Sequence, residues 1–180
     1  MKILKTLTFR TVMAVAAMVA FSIPSFAQES KLTDPEISSV AVTANQIDIN
    51  YAVIAKEKSK NAEVLRFAET MSNDHKAVIA QAVALVTKLK VTPKDNALSQ
   101  KLNSDAEKTK KALKAKSGKA FDKAYIDNEV AYHKAVIAVV EGTLIPPTQN
   151  AELKELLQKV VPALKTHLEH AEMVQKSLSK

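Results

Sequence analysis

The chain has 180 residues, of which 25% are charged, and carries a formal net charge of +7. It contains no cysteine, which excludes disulfides, thiolate metal sites and a lipid anchor attached through cysteine. Only two glycines occur, which leaves few positions for tight β-turns, so the composition favours an all-α protein over one built from strands.

The N-terminus has the three parts of a secretory signal peptide. A basic stretch with Lys2, Lys5 and Arg10 precedes an apolar run over residues 11–24, and small residues follow up to Ala27. The apolar run is shorter than the roughly 20 residues that a membrane-spanning helix needs. We therefore expect cleavage after Ala27, and a soluble mature protein in the periplasm of a Gram-negative cell or secreted from it. Its formal charge would be +4, because three positive charges leave with the signal.

A short linker over residues 28–33 and a single helical-bundle domain over residues 34–178 are predicted for the rest of the chain. Asp34 is a suitable N-cap and Pro35 suits the first position of a helix, so the first helix is predicted to begin there and to end near Lys58. The length of this remainder is typical of one domain with one core.

The second and third predicted helices differ in the apolar surface that they carry. The second begins at Ser59 or Asn61 and ends near Lys90. Its predicted inward stripe runs along the whole helix and comprises Val64, Phe67, Met71, His75, Val78, Ala82, Leu85 and Leu89. The third, over about residues 97–116, is rich in lysine and has a thinner stripe, and Gly118 is predicted to cap its C-terminus.

The fourth helix is predicted over about residues 120–140 and is expected to stop at Gly142. The fifth begins near Thr148 or Asn150. It contains Pro162, which lacks a backbone N–H and clashes with the preceding turn, so a kink is predicted there.

The lysine-rich stretch over residues 94–123 raises the question of a charged partner. Nucleic-acid binding is not indicated, because the chain without its first 27 residues has a single arginine, Arg66, and no tryptophan. Two interpretations remain for the lysines. They form a solvated helix face, or they make a weak contact with anionic lipid or cell-wall polymer.

Three of the four histidines and one acid fall on the apolar stripes of four different predicted helices, and these residues are Asp48, His75, His133 and His167. A buried imidazole or carboxylate without a partner costs several kcal/mol, so four such groups facing one interior need water, one another or a cation. Three imidazoles and a carboxylate would suit one zinc, copper or iron ion. The alternative is that each histidine is a core-edge residue bonded to a carbonyl or water.

Three further side chains are secondary candidates. Glu129 lies one turn before His133 and either joins or orients the site, or is an ordinary surface glutamate. His170 follows His167 by three residues, so it either chelates with it or stands exposed at the rim of the bundle. Asp74 either orients a ligand or is simply an exposed acid.

No catalytic residue is predicted. The sequence holds no nucleophile–base triad, phosphate-binding glycine loop or dinucleotide motif. Met71 and Met173 are interpreted as core residues, with copper binding as the alternative. Two functions stay open: metal handling or envelope stress protection by a metal-binding bundle, and a non-catalytic structural or interaction bundle without a metal.

Residues spread along all five predicted helices form a recognisable pattern. They are Ala44-Asn45, Asp48, Phe67-Ala68, Met71, Asp74-His75, Gly118, Phe121-Asp122, Tyr125, His133, Pro162 and His167-Leu168-Glu169. From about residue 34 to residue 176, the chain resembles the bacterial domain-of-unknown-function family 4142, whose members are exported and often labelled outer-membrane proteins. The resemblance implies a ferritin-like four-helix bundle with an additional lysine-rich helix between the second and third core helices. It assigns no activity.

The resemblance also bears on the candidate ligands. The histidines of the family match His75, His133 and His167. Asp48 stands where the family tends to have a glutamate, so the carboxylate here is one methylene shorter. The resemblance therefore supports the three imidazoles as ligands more strongly than it supports Asp48.

Overall fold

The structure, a computed structural model, describes residues 31–179. The predicted signal peptide and residues 28–30 of the predicted linker lie outside these residues. The helices are α1 (Asp34–Lys58), α2 (Ala62–Leu89), α3 (Ala97–Lys114), α4 (Gly118–Val139) and α5 (Ala151–Leu178), with a π-helical segment at Val140–Leu144. Over the described residues the chain is all-α, which confirms that prediction. No helix in this part of the chain is both long and apolar enough to cross a membrane.

Helix α1 is capped one residue earlier than predicted. Thr33 is the N-cap and forms a capping box with Glu36, so Asp34 is already the first helical residue. The Asp34 carboxylate instead accepts hydrogen bonds from the backbone N–H groups of Gln149 and Asn150, at 2.9 and 2.8 Å. This carboxylate therefore ties the start of the last helix to the start of the first.

Asparagine side chains cap three of the other four helices. The Oδ1 atoms of Asn61, Asn96 and Asn150 accept hydrogen bonds from backbone N–H groups in the first turns of α2, α3 and α5. The predicted N-caps Asn61 and Asn150 are thus confirmed. Pro162 lies inside α5, which is one helix from end to end, and the kink there stays a prediction.

Both glycines act differently from the prediction. Gly118 does not cap α3, which ends at Lys114, but is the first residue of α4. It has a φ of +55°, a conformation that glycine adopts at little cost, so it turns the chain between the two helices. Helix α4 ends at Val139, close to its predicted end, and the chain continues through Gly142 as the π-helical segment instead of stopping there. The buried side chains of Val140 and Leu144 hold this segment in the core.

Four of the helices pack in a closed order, which means that each contacts the next and the last contacts the first. Helix α1 packs against α2 and α4, and α5 packs against the same two helices. Helix α3 packs chiefly against α1 and more weakly against α4. The lysine-rich helix is therefore an addition on the side of α1.

Buried apolar side chains form two clusters. The aromatic cluster is built from α1, α2, α3, α4 and α5 around Phe67, Phe121 and Tyr125. The aliphatic cluster is built from Ile37, Val40, Val140, Leu144, Leu153, Leu157, Val161 and Leu164. The aromatic cluster contains residues from the later part of α1 and the early part of α2. The aliphatic cluster contains residues from the early parts of α1 and α5 and from the π-helical segment after α4.

Helix α2 contributes to the two clusters unequally. All its buried residues lie between Val64 and His75, and none lies between Lys76 and Leu89. The predicted inward stripe is therefore wrong for the second half of this helix, where the side chains are only half-buried. The second half of α2 therefore lines a cleft and does not pack tightly against the core.

Candidate metal centre

The four predicted ligands come from the four helices of the closed order. Asp48 lies on α1, His75 on α2, His133 on α4 and His167 on α5, each near the middle of its helix. All four are buried, with between 0% and 6% of each residue exposed. They lie between the aromatic and the aliphatic cluster, so packing on both sides fixes the height of each residue along the helices.

The polar atoms of this set are close to one another. Oδ2 of Asp48 lies 3.3 Å from Nε2 of His75 and 3.5 Å from Nε2 of His133. One ring nitrogen from each of His75, His133 and His167 lies within 4.8 Å of the other two. Zinc–nitrogen bonds are about 2.0–2.1 Å long, so side-chain shifts below about 1 Å would bring these nitrogens onto one ion.

Each imidazole is held in place by a hydrogen bond from one of its two ring nitrogens. Nδ1 of His75 donates to Oδ1 of Asn45 at 2.7 Å. The Asn45 amide is itself oriented, because its Nδ2 donates to the carbonyl of Ala41 at 2.8 Å. The proton of neutral His75 is therefore on Nδ1, and its Nε2 carries a free lone pair.

The other two imidazoles are oriented in the same way. Nδ1 of His133 donates to the backbone carbonyl of Glu129 at 2.9 Å. Nε2 of His167 donates to Oδ2 of Asp74 at 2.9 Å. Asp74 is thus the partner of a candidate ligand and not merely an exposed acid. Oxygen acceptors fix the tautomer of metal-binding histidines in the same manner.

The remaining atoms of the set have no hydrogen-bond partner. They are Nε2 of His75, Nε2 of His133, Nδ1 of His167 and both carboxylate oxygens of Asp48, all buried. When His75 and His133 are neutral, their free lone pairs face the Asp48 carboxylate, which is also an acceptor. Acceptors that face each other without a proton or cation between them repel, and buried polar atoms without a partner are costly. The donor set therefore fits a cation.

The charge states suit the same interpretation. Burial by itself would raise the pKa of Asp48, but the surrounding imidazoles, His75 first, hold that pKa below its ordinary value. Burial lowers the pKa of His133 and of His167, although Asp48 and Asp74 partly oppose the effect. Because metal ligands must be deprotonated, the lowered pKa values of Asp48, His133 and His167 favour metal binding.

Glu129 is not a surface glutamate, and that interpretation is wrong. It is fully buried, with Oε2 at 3.6 Å from Nδ1 of His133. Burial, and then the negative charge of Asp48, raise the pKa of Glu129 well above its ordinary value. Glu129, Asp48 and His133 form a second group of close ligand atoms, which shares only His133 with the group of three imidazoles.

The structure also places the three other residues that the sequence suggested as ligands, His170, Met71 and Met173. His170 packs edge-on against the ring of Phe67, with ring centroids 5.1 Å apart, and the structure does not bring it into the ligand set. Met71 is fully buried, as predicted. Met173 is 64% exposed, so its predicted place in the core is wrong. Its side chain lies on the outer face of α5, where packing does not cover it.

Sequence reasoning missed the part that Asn45 plays. Asn45 appeared only as part of the family pattern, although it precedes Asp48 by three residues and so shares its helix face. That spacing was the available signal. Its contact with His75, 30 residues away in the chain, depends on how α1 and α2 pack.

Comparisons with known proteins identify a family and no closer relative. Searches of curated proteins and of solved structures found no match. The family model described as "Domain of unknown function (DUF4142)" matches residues 22–174, which span all four members of the ligand set. The match covers most of the 180-residue chain, and the protein therefore belongs to the DUF4142 family.

Proposed function

We propose that this protein binds one transition-metal ion through Asp48, His75, His133 and His167 and serves in metal handling or stress protection in the cell envelope. One observation carries the proposal. Each of three imidazoles has one nitrogen fixed by an oxygen acceptor and the other buried without a partner, and the free nitrogens of His75 and His133 lie 3.3 and 3.5 Å from the Asp48 carboxylate. A set of hydrogen-bonded core histidines would not leave four buried groups unsatisfied in one place.

The donor set narrows the choice of metal. Imidazole nitrogen suits zinc, copper and iron, and one carboxylate with three imidazoles completes a tetrahedral site. No thiolate is available, because the chain has no cysteine. Zinc is the probe of choice, because it takes four ligands of these types without a redox step.

The architecture and location form part of the same proposal. The closed packing order of α1, α2, α4 and α5, with α3 outside it, supports a ferritin-like four-helix bundle with an additional lysine-rich helix. Bundles of this kind build metal sites from inward side chains of facing helices. We also propose that the protein is exported to the periplasm. The basic, apolar and small-residue segments before Gln28 support this, because together they have the pattern of a secretory signal peptide.

Elemental analysis of protein purified without an affinity tag tests the metal site. We expect close to one zinc ion per chain after incubation with zinc and removal of the excess. The double variant His75→Ala, His133→Ala should hold close to none, because two of the four ligands are gone. His170→Ala is the matched control, since this histidine packs on Phe67 outside the site, and it should keep the metal. Equal zinc contents in all three proteins would refute the proposal.

A second function has one observation in its favour. Lys111, Lys114, Lys116 and Lys119 are exposed around the end of α3, and none forms an ion pair within the described residues. Such a patch suits weak contact with an anionic lipid or cell-wall polymer. Sedimentation with phosphatidylglycerol vesicles tests this function. Binding should weaken as salt rises and should fall in the variant with all four lysines changed to glutamine.

A further inference from the structure

A buried carboxyl group that is not among the four proposed ligands lies next to them. Glu129 precedes His133 by four residues on α4 and is fully buried. Its Oε2 atom accepts no hydrogen bond, and its Oε1 atom has only a long contact of 3.5 Å with Nδ2 of Asn128. The described part of the chain therefore leaves this carboxyl group largely without a hydrogen-bond donor, which is costly in a protein interior.

The carboxyl groups of Glu129 and Asp48 lie close together. One oxygen from each and one ring nitrogen of His133 lie within 4.8 Å of one another. Oxygen ligands lie about 2.0–2.6 Å from divalent ions such as Mg²⁺ and Ca²⁺, so two of them on one ion are at most about 4–5 Å apart. Over the described residues, both carboxylates form ion pairs with histidines alone and with no lysine or arginine. The spacing of the two carboxylates therefore suits a shared cation.

Asp48 has an oxygen atom available for a second ion. Its Oδ2 atom lies near His75 and His133, two of the proposed ligands of the first ion, at 3.3 and 3.5 Å. Its Oδ1 atom is buried and has no hydrogen-bond partner. A carboxylate has two oxygen atoms with about four lone-pair positions. One oxygen of Asp48 can therefore bind the first ion while the other binds a second.

Two buried hydroxyl groups nearby, Oη of Tyr125 and Oγ of Ser72, also have no hydrogen-bond partner. Both residues are 0% exposed. Tyr125 precedes Glu129 by four residues on α4, and Ser72 precedes His75 by three on α2, so each shares a helix face with its neighbour. Burial raises the pKa of Tyr125 well above its ordinary value, and the charges of Glu129 and Asp48 raise it further. The Tyr125 hydroxyl therefore lies near both carboxylates.

The chemistry of these atoms differs from that of the first site. Three of the four proposed ligands of the first ion are imidazole nitrogens, which suit zinc, copper and iron. The group around Glu129 offers oxygen atoms, and carboxylates and water suit hard divalent cations such as Mn²⁺ and Mg²⁺. Two neighbouring sites would therefore prefer different ions.

We propose that Glu129 and Oδ1 of Asp48 bind a second, hard divalent cation such as manganese beside the first ion, with the Tyr125 hydroxyl as a further ligand. This inference rests on the proposed function, because the two ions share Asp48. It assigns Glu129 a role that the four-ligand site does not require. It also accounts for two carboxylates that are buried side by side without a cationic side chain, an arrangement that is costly unless a proton or a cation lies between them.

Titration of Mn²⁺ into zinc-loaded protein tests the inference. Electron paramagnetic resonance measures the free Mn²⁺, and elemental analysis of the same samples gives the zinc content. Wild-type protein should bind close to one manganese ion and keep its zinc. Glu129→Gln preserves the size of the side chain but removes its charge, so it should keep zinc and bind manganese at least about tenfold more weakly. Glu141→Gln is the matched control, because Glu141 is exposed and pairs with Lys165.

Tyr125→Phe removes only the hydroxyl oxygen and serves as a second variant should Glu129→Gln fail to fold. Weaker manganese binding in these two variants alone, at an unchanged zinc content, supports the inference. Zinc-loaded wild-type protein that binds no manganese overturns it, because Glu129 and Asp48 would then share a proton. Equal manganese binding in every variant, or exchange of zinc for manganese, also overturns it and leaves the first site intact. A wild-type protein without zinc refutes the proposed function itself.

Discussion

The two apolar clusters show how one set of helices can be closed at one end and open at the other. In the aromatic cluster, α2 contributes four fully buried apolar side chains, Val64, Phe67, Ala68 and Met71. In the aliphatic cluster it contributes none that is buried, and Leu85 packs there only in part. The closed end should therefore supply most of the packing stability, while the open end leaves room beside the ligand set.

The largest expected effect compares these two ends directly. Phe67→Ala removes a fully buried ring from the aromatic cluster and should lower the free energy of unfolding by about 3–5 kcal/mol. Val78→Ala, at the half-buried wall of the cleft, should lower it by less than about 1 kcal/mol. Urea denaturation of both variants measures the difference. Similar losses would show that the second half of α2 packs as tightly as the first.

A bound ion should stabilise the junction between the two clusters. With zinc at about 100 times its dissociation constant, the free energy of unfolding should rise by about 2.7 kcal/mol, because the native site binds the ion and the unfolded chain does not. Thermal unfolding with zinc and with EDTA measures this shift. Asp48→Asn removes the only charged ligand and should lose most of the shift. The same shift in both proteins would place the ion elsewhere.

A smaller effect is expected from the residue that orients His75. Asn45→Ala leaves all four ligands in place but removes the acceptor for Nδ1 of His75, so zinc affinity should fall about 10–100-fold. Competition with a fluorescent zinc chelator measures the affinity. Asn73→Ala is the matched control, because Asn73 is exposed and bonds only to Glu69. An unchanged affinity in Asn45→Ala would mean that packing alone orients the ring.

The smallest expected effect concerns motion in the unmodified protein. Amide hydrogens in the second half of α2, over residues 76–89, should exchange at least about tenfold faster than those over residues 64–75, because few buried contacts oppose local opening there. Hydrogen exchange followed by mass spectrometry measures both halves in one experiment. Uniform protection along α2 would contradict an open end.

Helical periodicity predicted a large part of this molecule. The order of five helices, their approximate bounds and two of the asparagine caps agree with the structure, because spacing and capping are local properties of the sequence. Asp48 and the three inward histidines were identified for the same reason. The roles of the two glycines were predicted less well, because a glycine suits either the end of a helix or the continuation of the helical chain.

The contacts around the ligands could not be predicted in the same way. Asp74 contacts His167 across 93 residues of chain, and Asn45 contacts His75 across 30. Glu129 looked like a surface residue, because its burial depends on which face of α4 meets α1. Side chains beside a helix stripe are turned inward or outward by packing angles, which helical spacing does not specify.

The half-buried face of α2 is the clearest case. Its apolar stripe has the same spacing in both halves, so the sequence predicted one continuous core. By itself the sequence determined that this protein is helical, where its helices begin, and that one acid and three imidazoles face inward, because each of these follows from local spacing. Only the tertiary structure decided that those groups meet at one height and that one end stays open beside them, because both depend on distances between helices far apart in the chain.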